Sequence, residues 1–418
     1  MDSHFLEGKN IIVAGAGMSG LSFTLALRRL WPANLTPPII KIYERDSDAI
    51  PAGREGYTLS LAGHDETGGL YAARDLGLLD DIMQHAVQGL GNKFKFTMWN
   101  RSWSELLTQK IEPAPGLPTS GIRIARKNLR KVLTDAVGRE QIIWETTCVD
   151  AERLSNGKML VKLSGSHLPE NESTAECDLL IIADGASSKI RASLRPNDTL
   201  QYTGIMQKGG LAIFPKGVPK PVDKKWGIIL SSGKGVACFV SPYDETSVSW
   251  GLSYRAPTIE EPLKISSIEE AQLVIEECKE LGKEFLEPFQ SILDATDPTF
   301  VSRLAARDKQ PFGHDISLGP AIFIGDSNHA TTPFSGYGAS LAMKDGWDLA
   351  TQLCGSRGLK EAVRAYDAIS IPRATKMLKE SRQRIDMCHA TGFNYSFNRS
   401  LLGFGGFVLG IKDALGST

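Results

Sequence analysis

The stretch Lys9-Asn10-Ile11-Ile12-Val13-Ala14-Gly15-Ala16-Gly17-Met18-Ser19-Gly20 decides the fold. Its first half is a short apolar run, which predicts a buried parallel strand, and the residues after it repeat apolar side chains at helical spacing. A second apolar run, Ile39 to Tyr43, follows and ends in Glu44-Arg45-Asp46. Strand, glycine turn, helix and strand in this order predict a βαβ unit.

The glycines of this stretch fit the G-x-G-x-x-G pattern, between a strand and a helix as the pattern requires. Gly15 would make the tight turn, Gly17 would let the backbone approach a pyrophosphate, and Gly20 would allow close packing of helix on strand. Glu44, 24 residues after Gly20, ends the second strand, where a carboxylate can accept hydrogen bonds from a ribose. The set predicts dinucleotide binding. The alternative is a glycine-capped turn followed by a solvated Glu44.

Two later apolar runs read as further strands of the same parallel sheet. They are Cys177 to Ala183, before Asp184-Gly185, and Pro320 to Ile324, before Gly325-Asp326. Between about residues 195 and 301 the pattern alternates and predicts antiparallel sheet, in segments such as Gly227 to Leu230, Val236 to Val240 and Val248 to Tyr254.

Two helical stretches complete the pattern. The first runs from Ser267 to Leu281, and the second follows Lys360 as a long tail. Pro372 should bend or restart this tail, because proline removes a backbone donor and crowds the preceding turn.

The composition excludes several classes of protein. Lys and Arg number 47 against 48 Asp and Glu, a net charge of -1, so no global field favours nucleic acid or an anionic membrane. The hydrophobic fraction of 42% predicts a globular core. The six cysteines lie 29 or more positions apart, so no zinc or other metal site is expected, and the protein is predicted to be reduced and cytoplasmic.

No targeting or membrane segment is evident from the sequence. The first ten residues lack the basic flank and apolar run of a secretory signal. The nearest approach to a membrane helix, Leu401 to Ile411, is too short and contains four glycines. Residues Leu401 to Val408 are therefore only a weak candidate for peripheral membrane contact.

Four motifs in order carry a resemblance to a known family. The four motifs are Glu44-Arg45-Asp46, Arg54-x-Gly56, Asp184-Gly185-x-x-Ser188-x-x-Arg191 and Gly325-Asp326-x-x-His329-x-x-x-Pro333-x-x-Gly336-x-Gly338. Through them the chain resembles the single-component FAD-dependent monooxygenases of the aromatic hydroxylase type. Within these it is most similar to the tetracycline-inactivating and salicylate-hydroxylase-like branches, through Thr58-Leu59-x-Leu61 and Arg126-x-x-Leu129-Arg130.

The resemblance implies a set of residues for FAD. Asp326 would hold the ribityl chain, although it could instead be a turn residue that caps the next helix. Asp184 and Gly185 belong to a segment that the family uses for FAD and nicotinamide contacts, and Ser188 and Arg191 there could be merely structural. The other cofactor residues implied are Gly15, Gly17, Met18, Ser19, Gly20, Glu44, Arg45, Arg54, Arg126, Pro333, Gly336, Gly338, Ala339 and Ser340.

The segment Pro333 to Gly338 would be the loop beside the isoalloxazine, with Pro333, Gly336 and Gly338 at the reacting ring. Its small residues would let the flavin approach the backbone, and the following helix would support negative charge on the reduced ring. Ser340 replaces the asparagine that is usual in the family, which puts its pyrimidine contact in question. His329 is expected to be structural rather than an acid or base.

The activity implied by the family is a monooxygenation of the type found in secondary metabolism. NADPH or NADH would reduce non-covalent FAD, O2 would form a flavin C4a-hydroperoxide, and its distal oxygen would hydroxylate or epoxidise an aromatic or polycyclic small molecule. Alternatives are a FAD-dependent oxidase or another oxidoreductase on this scaffold, or a binding protein without chemistry. Candidates for the substrate pocket, most of them expected in the core, are Phe214, Trp226, Phe239, Trp250 and Tyr254.

The predicted architecture is α/β. A Rossmann-type FAD-binding domain would be combined with a mixed antiparallel-sheet substrate domain and a C-terminal helical tail. The FAD-binding domain is predicted over 1–74, 117–194 and 301–356, the substrate domain over 75–116 and 195–300, and the helical segment over 357–418.

Overall fold

The strand that begins at Asn10 lies in the middle of a parallel sheet. The structure is a computed structural model that describes residues 4–48, 56–91, 94–169, 173–392 and 394–395. The strands are β1 (Asn10–Ala14), β2 (Ile39–Tyr43), β3 (Thr58–Ala62), β4 (Phe94–Trp99), β5 (Glu105–Ile111), β6 (Gly121–Ala125), β7 (Ile142–Ile143), β8 (Thr147–Arg153), β9 (Met159–Ser164), β10 (Thr174–Cys177), β11 (Leu179–Ile182), β12 (Gln201–Ile213), β13 (Trp226–Leu230), β14 (Val236–Asp244), β15 (Ser247–Arg255), β16 (Thr296–Asp308) and β17 (Ala321–Phe323).

The described residues also form α-helices and short 3-10 turns. Short 3-10 turns occur at Arg139–Gln141, Ile316–Leu318 and Pro333–Ser335. The α-helices are α1 (Met18–Leu30), α2 (Gly69–Asp75), α3 (Leu79–Gln84), α4 (Arg126–Val137), α5 (Lys189–Leu194), α6 (Ile268–Leu281), α7 (Phe289–Asp294), α8 (Asp326–His329), α9 (Gly338–Gly355) and α10 (Leu359–Cys388).

The five-stranded sheet has the order β17-β11-β1-β2-β7, and every neighbouring pair is parallel. This confirms the predicted α/β class and the βαβ unit. The predicted strand Cys177 to Ala183 is wrong in one respect, because it is divided at Asp178. The Asp178 carboxylate accepts from the Asn10 amide at 2.9 Å, and only the residues after Asp178 join the parallel sheet. The residues before it form β10, which pairs antiparallel with β9 in the sheet β10-β9-β8.

Helices α1 and α9 pack closely on each other beside this sheet. A Cβ at Gly346 of α9 would lie 2.5 Å from the backbone nitrogen of Phe23 and 2.7 Å from the carbonyl oxygen of Ser19. Any side chain at this position would therefore push the two helices apart. The apolar side of α1, with Leu21 and Leu27, is fully buried in the same core.

The seven-stranded sheet has the order β16-β12-β15-β14-β13-β4-β5. It is antiparallel except where β13 runs parallel to β4, so a mixed sheet is confirmed. Helices α6 and α7 cover one face, and Cys238 and Val240 of β14 point into this core. β4 and β5 join the sheet from residues 94–111, far from its other strands in sequence. The boundaries of the predicted domains remain predictions.

A two-stranded ribbon, β3 with β6, lies between the two sheets and was not predicted. Alternate residues of β6 point to opposite sides, as strand geometry requires. Ile122 and Ile124 pack into the core of the parallel sheet. Arg123 points the other way and reaches Ser241 of β14, so the ribbon joins the two layers.

The C-terminal helix α10 is continuous through Pro372, so the predicted restart is wrong. Side chains on both sides of the proline anchor the helix to Asp345 of α9: Ser370 Oγ donates at 3.2 Å and Arg373 Nη2 at 2.8 Å. In the part of the chain that is described, no helix is both long and apolar enough to cross a membrane. The stretch Leu401 to Ile411, and with it the candidate membrane contact, lies outside the described residues.

Replacing Gly346 by alanine should destabilise the protein by about 1 to 3 kcal/mol, because the new methyl group would collide with the backbone of α1. Gly355→Ala is the matched control in the same helix, since nothing lies within 4 Å of its Cβ position. The control should stay within about 1 kcal/mol of the parent. Urea unfolding of both variants measures the difference, and equal stabilities would contradict the close packing of α1 on α9.

His389 makes folding stability depend on pH. Its Nδ1 lies 2.8 Å from the Ile385 carbonyl oxygen and its Nε2 lies 2.9 Å from Ser253 Oγ. Burial lowers the pKa of His389 to about 4, whereas the unfolded chain titrates near 6.5. The stability due to neutral His389 should therefore be lost as pH falls from about 6.5 to about 4, by up to about 3 kcal/mol.

The variant His389→Gln, which cannot be protonated in this range, should have a flatter curve of unfolding free energy against pH. The gap between the parent and this variant should narrow as pH falls toward 4. Parallel curves for the two proteins over that range would show that His389 does not titrate as proposed.

Candidate functional site

The carboxyl ends of β1, β2, β11 and β17 meet at one edge of the parallel sheet, and the glycine turn begins there. Gly15 has φ +110°, and a Cβ on it would lie 2.6 Å from the Ala183 carbonyl oxygen. A Cβ on Gly20 would lie 2.2 Å from the Gly15 carbonyl oxygen, which explains the close packing of α1 on β1. Gly17 is different, because the nearest atom to its Cβ position is 3.9 Å away. Its open side leaves room for a ligand at the start of α1.

Glu44 is buried rather than solvated, so the alternative of a solvated carboxylate is wrong. Its Oε2 accepts from the Ala16 amide at 2.7 Å, and its Oε1 accepts from the Asp46 amide at 3.0 Å. Glu44 thus fixes the glycine turn against the end of β2. Arg130 is the arginine beside it, with Nη2 3.6 Å from Glu44 and Nη1 3.0 Å from Asp46.

The arginines predicted to assist the cofactor are placed differently. Arg45 is half exposed, with Nε 3.8 Å from Asp46 Oδ1. Arg126 begins α4, where its backbone amide donates to the Tyr57 carbonyl oxygen. Arg54 lies outside the described residues. Roles for these three in cofactor binding remain predictions. Arg130 was part of a family-like motif in the sequence, but its contact with Glu44 and Asp46 was not predicted, because a helical arginine carries no signal of its partner.

Asp184 follows β11 and keeps one free oxygen. Its Oδ2 accepts from the Lys189 amide at 3.1 Å, while its buried Oδ1 has no hydrogen-bond partner among the described residues. Burial raises the pKa of Asp184. Gly185 beside it has φ +84° and open space at its Cβ position.

Ser188 and Arg191 of the same motif have structural contacts. Ser188 Oγ accepts from the Arg191 amide and so caps α5. The buried Arg191 guanidinium donates to backbone carbonyl oxygens of Ala186, Asp198 and Ser327.

Asp326 begins α8 at the end of the β17 turn. Gly325, not Asp326, occupies the capping position, and no described residue donates a hydrogen bond to the Asp326 carboxylate. The idea that Asp326 caps the helix is therefore wrong. Burial raises its pKa, although His329 opposes this, so the carboxylate would gain from hydroxyl donors. Gly325, with φ +60°, lies against Ser19, because a Cβ on it would be 2.9 Å from Ser19 Oγ.

The helix that follows the glycine turn therefore contacts the turn that carries Asp326. Met18 and Ser19, the first residues of this helix, are both buried at the contact. Sequence reasoning brought these segments together only through the family resemblance.

The loop from Pro333 to Gly338 is a short 3-10 turn followed by a left-handed residue, Gly336, with φ +64°. Gly338 is the first residue of α9 and has no atom within 4 Å of its Cβ position. Arg384 of α10 donates to the Phe334 carbonyl oxygen at 3.3 Å and so supports the loop from behind. The hydroxyl group of Tyr337 hydrogen-bonds to His64, another residue that the sequence did not indicate.

Ser340 does not offer its side chain to a ligand. It is fully buried, and its Oγ accepts from the Ala62 amide at 3.1 Å, which ties the end of β3 to the start of α9. Ala339, next to it, is partly buried. A flavin contact by either residue remains a prediction, and for Ser340 it would have to come from the backbone.

His329 is paired with Asp345 in the interior. Its Nε2 lies 2.6 Å from Asp345 Oδ2, and both side chains are buried. Burial alone would lower the pKa of His329, but the Asp345 carboxylate raises it above the ordinary value. For Asp345 burial opposes ionisation, yet His329 and Arg373 hold its pKa well below the usual range. This geometry supports a structural rather than a catalytic role for His329.

The arrangement fits a dinucleotide. Gly17 and Gly338 leave space at two helix N-termini, which favour negative charge. Asp184 Oδ1 is buried without a hydrogen-bond partner, and the Asp326 carboxylate is partly buried at the same edge, which suits the hydroxyl groups of a sugar or ribityl chain. No cluster of three or more His, Cys, Asp or Glu that could hold a metal occurs in the described ranges.

Comparison with known proteins identifies the family. Residues 9–381 match the family described as FAD binding domain. The monooxygenase cfoF of Aspergillus candidus is 41% identical over 391 residues, which are 93% of this chain and 93% of that protein. The chain belongs to this family of FAD-dependent monooxygenases.

Solved structures agree on the fold. The chain superposes on HpxO of Klebsiella pneumoniae in complex with FAD and uric acid with a TM-score of 0.76, at 21% identity and with coverage of 96% of this chain and 94% of that chain. For the tetracycline destructase Tet(51) the TM-score is 0.66, at 14% identity and with coverage of 96% and 97%. The predicted resemblance and FAD as the cofactor are confirmed.

Asp326→Ala should reduce FAD occupancy about tenfold or more, since ribityl hydroxyls would lose an acceptor worth roughly 1 to 3 kcal/mol. Occupancy is read from the ratio of flavin to protein absorbance after dialysis against graded FAD. Asp326→Asn, which keeps one oxygen acceptor, should lose less. Asp315→Ala, at an exposed turn, should match the parent. Unchanged FAD affinity in Asp326→Ala would show that this carboxylate does not hold the cofactor.

Proposed function

We propose that the enzyme uses NADPH or NADH and O2 to hydroxylate or epoxidise an electron-rich aromatic or polycyclic small molecule. The observation that carries this proposal is the open backbone at Gly336 and Gly338, at the junction of the cofactor edge and the layer between the two sheets. When bound there, FAD supplies the electron transfer and the activation of O2. The residues of this chain supply position, charge and exclusion of water.

The N-terminus of α9 is the element that would respond to the reduced ring. Its first backbone amides are not used within the helix, so they can stabilise negative charge. Arg384 holds the preceding loop through the Phe334 carbonyl oxygen, which keeps these donors in place. Preorganised donors need no rearrangement when charge develops, and this is the usual source of electrostatic stabilisation.

The seven-stranded sheet divides the predicted pocket residues into two groups. Trp250 and Tyr254 lie in the core under α6 and α7, and Phe214 packs against the same core. Trp226 and Phe239 lie on the other face, and their rings meet edge to face with the centroids 6.0 Å apart. Only this second pair faces the ribbon, so it is the better candidate for contact with an aromatic substrate.

The relatives support the choice of substrate class. HpxO was solved with uric acid, and Tet(51) is named for tetracycline. Both of these compounds are ring systems with conjugated oxygen groups. The more similar relative, cfoF, is named as a monooxygenase. An oxidase on the same scaffold would use the same FAD edge but would transfer no oxygen atom to its product.

The oxygen balance tests the reaction. Of the two atoms of 18O2, one should enter the product and the other should leave as water, while one NAD(P)H is oxidised per product. Mass spectrometry of the product made under 18O2, and separately in H2 18O, measures the incorporation. A product that loses hydrogen without gaining oxygen, or that is labelled from water, would overturn the monooxygenase assignment in favour of the oxidase.

Two glycines at the ends of α9 give a matched control. Gly338→Val puts a branched side chain where the flavin would meet the helix, and it should abolish FAD binding or uncouple NAD(P)H oxidation from product. Gly355→Val makes the same change at the other end, where nothing lies within 4 Å, and should preserve coupling. If both variants behave like the parent, the loop is not beside the flavin.

A further inference from the structure

Tyr337 lies in the flavin loop, the loop from Pro333 to Gly338, and immediately precedes α9. Its backbone is already helical, and its carbonyl oxygen accepts from the Leu341 amide at 2.9 Å. Its own amide donates to Ser335 Oγ at 3.2 Å. The backbone of Tyr337 is thus part of the first turn of α9, so a contact that fixes its side chain also fixes the start of this helix.

The side chain of Tyr337 crosses to the connection between β3 and α2. Its hydroxyl oxygen lies 2.5 Å from His64 Nε2, and the two rings meet edge to face with their centroids 5.8 Å apart. Burial raises the pKa of Tyr337, so the hydroxyl group keeps its proton and donates to the neutral imidazole. Asp65 Oδ2 lies 3.4 Å from the same nitrogen, but an ionised carboxylate has no proton to donate and does not compete with the phenol.

Gly63 fixes the position of His64. Its amide donates to the Ser120 carbonyl oxygen at 2.8 Å, and its carbonyl oxygen accepts from the Ala114 amide at 2.9 Å. A Cβ on Gly63 would lie 2.6 Å from the Thr119 carbonyl oxygen, so this segment packs directly on neighbouring backbone. His64 therefore offers the phenol an acceptor whose position does not depend on the flavin loop.

The flavin loop is supported from two sides. Arg384 of α10 donates to the Phe334 carbonyl oxygen at 3.3 Å and holds the first half of the loop. The second half contains two glycines with open surroundings. The nearest atom to the Cβ position of Gly336 is 4.0 Å away, and none lies within 4 Å of that of Gly338. The hydrogen bond from the phenol to the imidazole joins this half to the segment that follows β3.

We propose that Tyr337 and His64 are positioning residues that hold the flavin loop and the N-terminus of α9 toward the ring of FAD. This inference rests on the proposed function, because it takes the loop to lie beside the flavin. The first amides of a helix stabilise negative charge only when they are directed at it. Loss of the hydrogen bond would loosen this arrangement, so reduction of bound FAD should become less favourable.

The test is the two-electron reduction potential of the FAD-loaded enzyme, measured without substrate against a reference dye. Tyr337→Phe removes the donor, and His64→Ala removes the acceptor. Each should lower the potential by about 15 mV or more, which corresponds to a roughly threefold or larger change in the equilibrium constant of a two-electron couple. A smaller shift, or a rise, in either variant would overturn the proposal. Tyr337→Phe removes a single oxygen atom, so it keeps the test available if His64→Ala does not retain FAD.

The double variant tests whether the two residues act as a pair. Because one hydrogen bond can be lost only once, Tyr337→Phe combined with His64→Ala should lower the potential no further than the larger single shift. Shifts that add would show two independent effects and would contradict the pair. His64→Gln keeps an oxygen acceptor at similar reach and should restore part of the shift seen in His64→Ala. A glutamine variant no closer to the parent than the alanine variant would exclude the hydrogen bond as the cause.

Tyr202→Phe is the matched control. It removes a phenol that donates to the Ala256 carbonyl oxygen at 3.0 Å, and it should keep the parent potential. An equal shift in this control would overturn the assignment to the flavin loop.

The potential is measured without turnover, so its result is independent of the 18O2 experiment. If Gly338→Val disturbs FAD but the Tyr337 and His64 variants keep the parent potential, only the positioning role is contradicted. If these variants shift the potential but the enzyme incorporates no oxygen, only the proposed reaction is contradicted.

Discussion

One buried carboxylate, Asp345, holds together the elements that form the cofactor edge. It accepts from the Gly325 amide at 2.8 Å, from His329 at 2.6 Å and from Arg373 at 2.8 Å, and it is fully buried. These partners lie on the β17 turn, on α8 and on α10, while Asp345 itself is on α9. Loss of any one partner would leave charge uncompensated in the interior, which costs more than the pair contributes when intact. The turn that carries Asp326 is thereby fixed by contacts with α9 and, through Asp345, with α10.

The features that could be predicted from the sequence are those that depend on residues close together in the chain. Gly15 and Gly20 predict a tight turn between β1 and α1, because a Cβ at either position would collide with neighbouring backbone. The apolar runs of β1, β2 and β17 predicted a parallel sheet, and the helix predicted from Ser267 to Leu281 is α6, which Ser267 caps. Asp326 was found through its motif, since a free carboxylate and a capping carboxylate look the same in sequence.

The parts that could not be predicted depend on pairing across long separations. The predicted substrate domain already combined residues 75–116 with 195–300, but nothing in Phe94 to Ile111 predicts that β4 pairs in parallel with β13. The ribbon of β3 and β6 is similar, because its two strands read as ordinary short alternating segments. Arg130 and Asp345 are charged residues on helices, and a helical charge is usually solvated. The restart predicted at Pro372 does not occur, because Ser370 and Arg373 on either side hold α10 to Asp345; the alternative, a bend, stays a prediction.

The two sides of the ribbon carry opposite charges: carboxylates lie at the cofactor edge, and a guanidinium lies between the sheets. At the cofactor edge, Asp184 Oδ1 is buried without a hydrogen-bond partner and the Asp326 carboxylate is partly buried, which suits a ligand rich in hydroxyl groups. Between the sheets, Arg123 is a donor held by neutral hydroxyls, which suits an acceptor that bears charge. A polar or charged group without a partner is costly to bury. A ligand that supplies the missing donor or acceptor would offset this cost. The ribbon joins both places to the start of α9, because the Ala62 amide at the end of β3 donates to Ser340 Oγ.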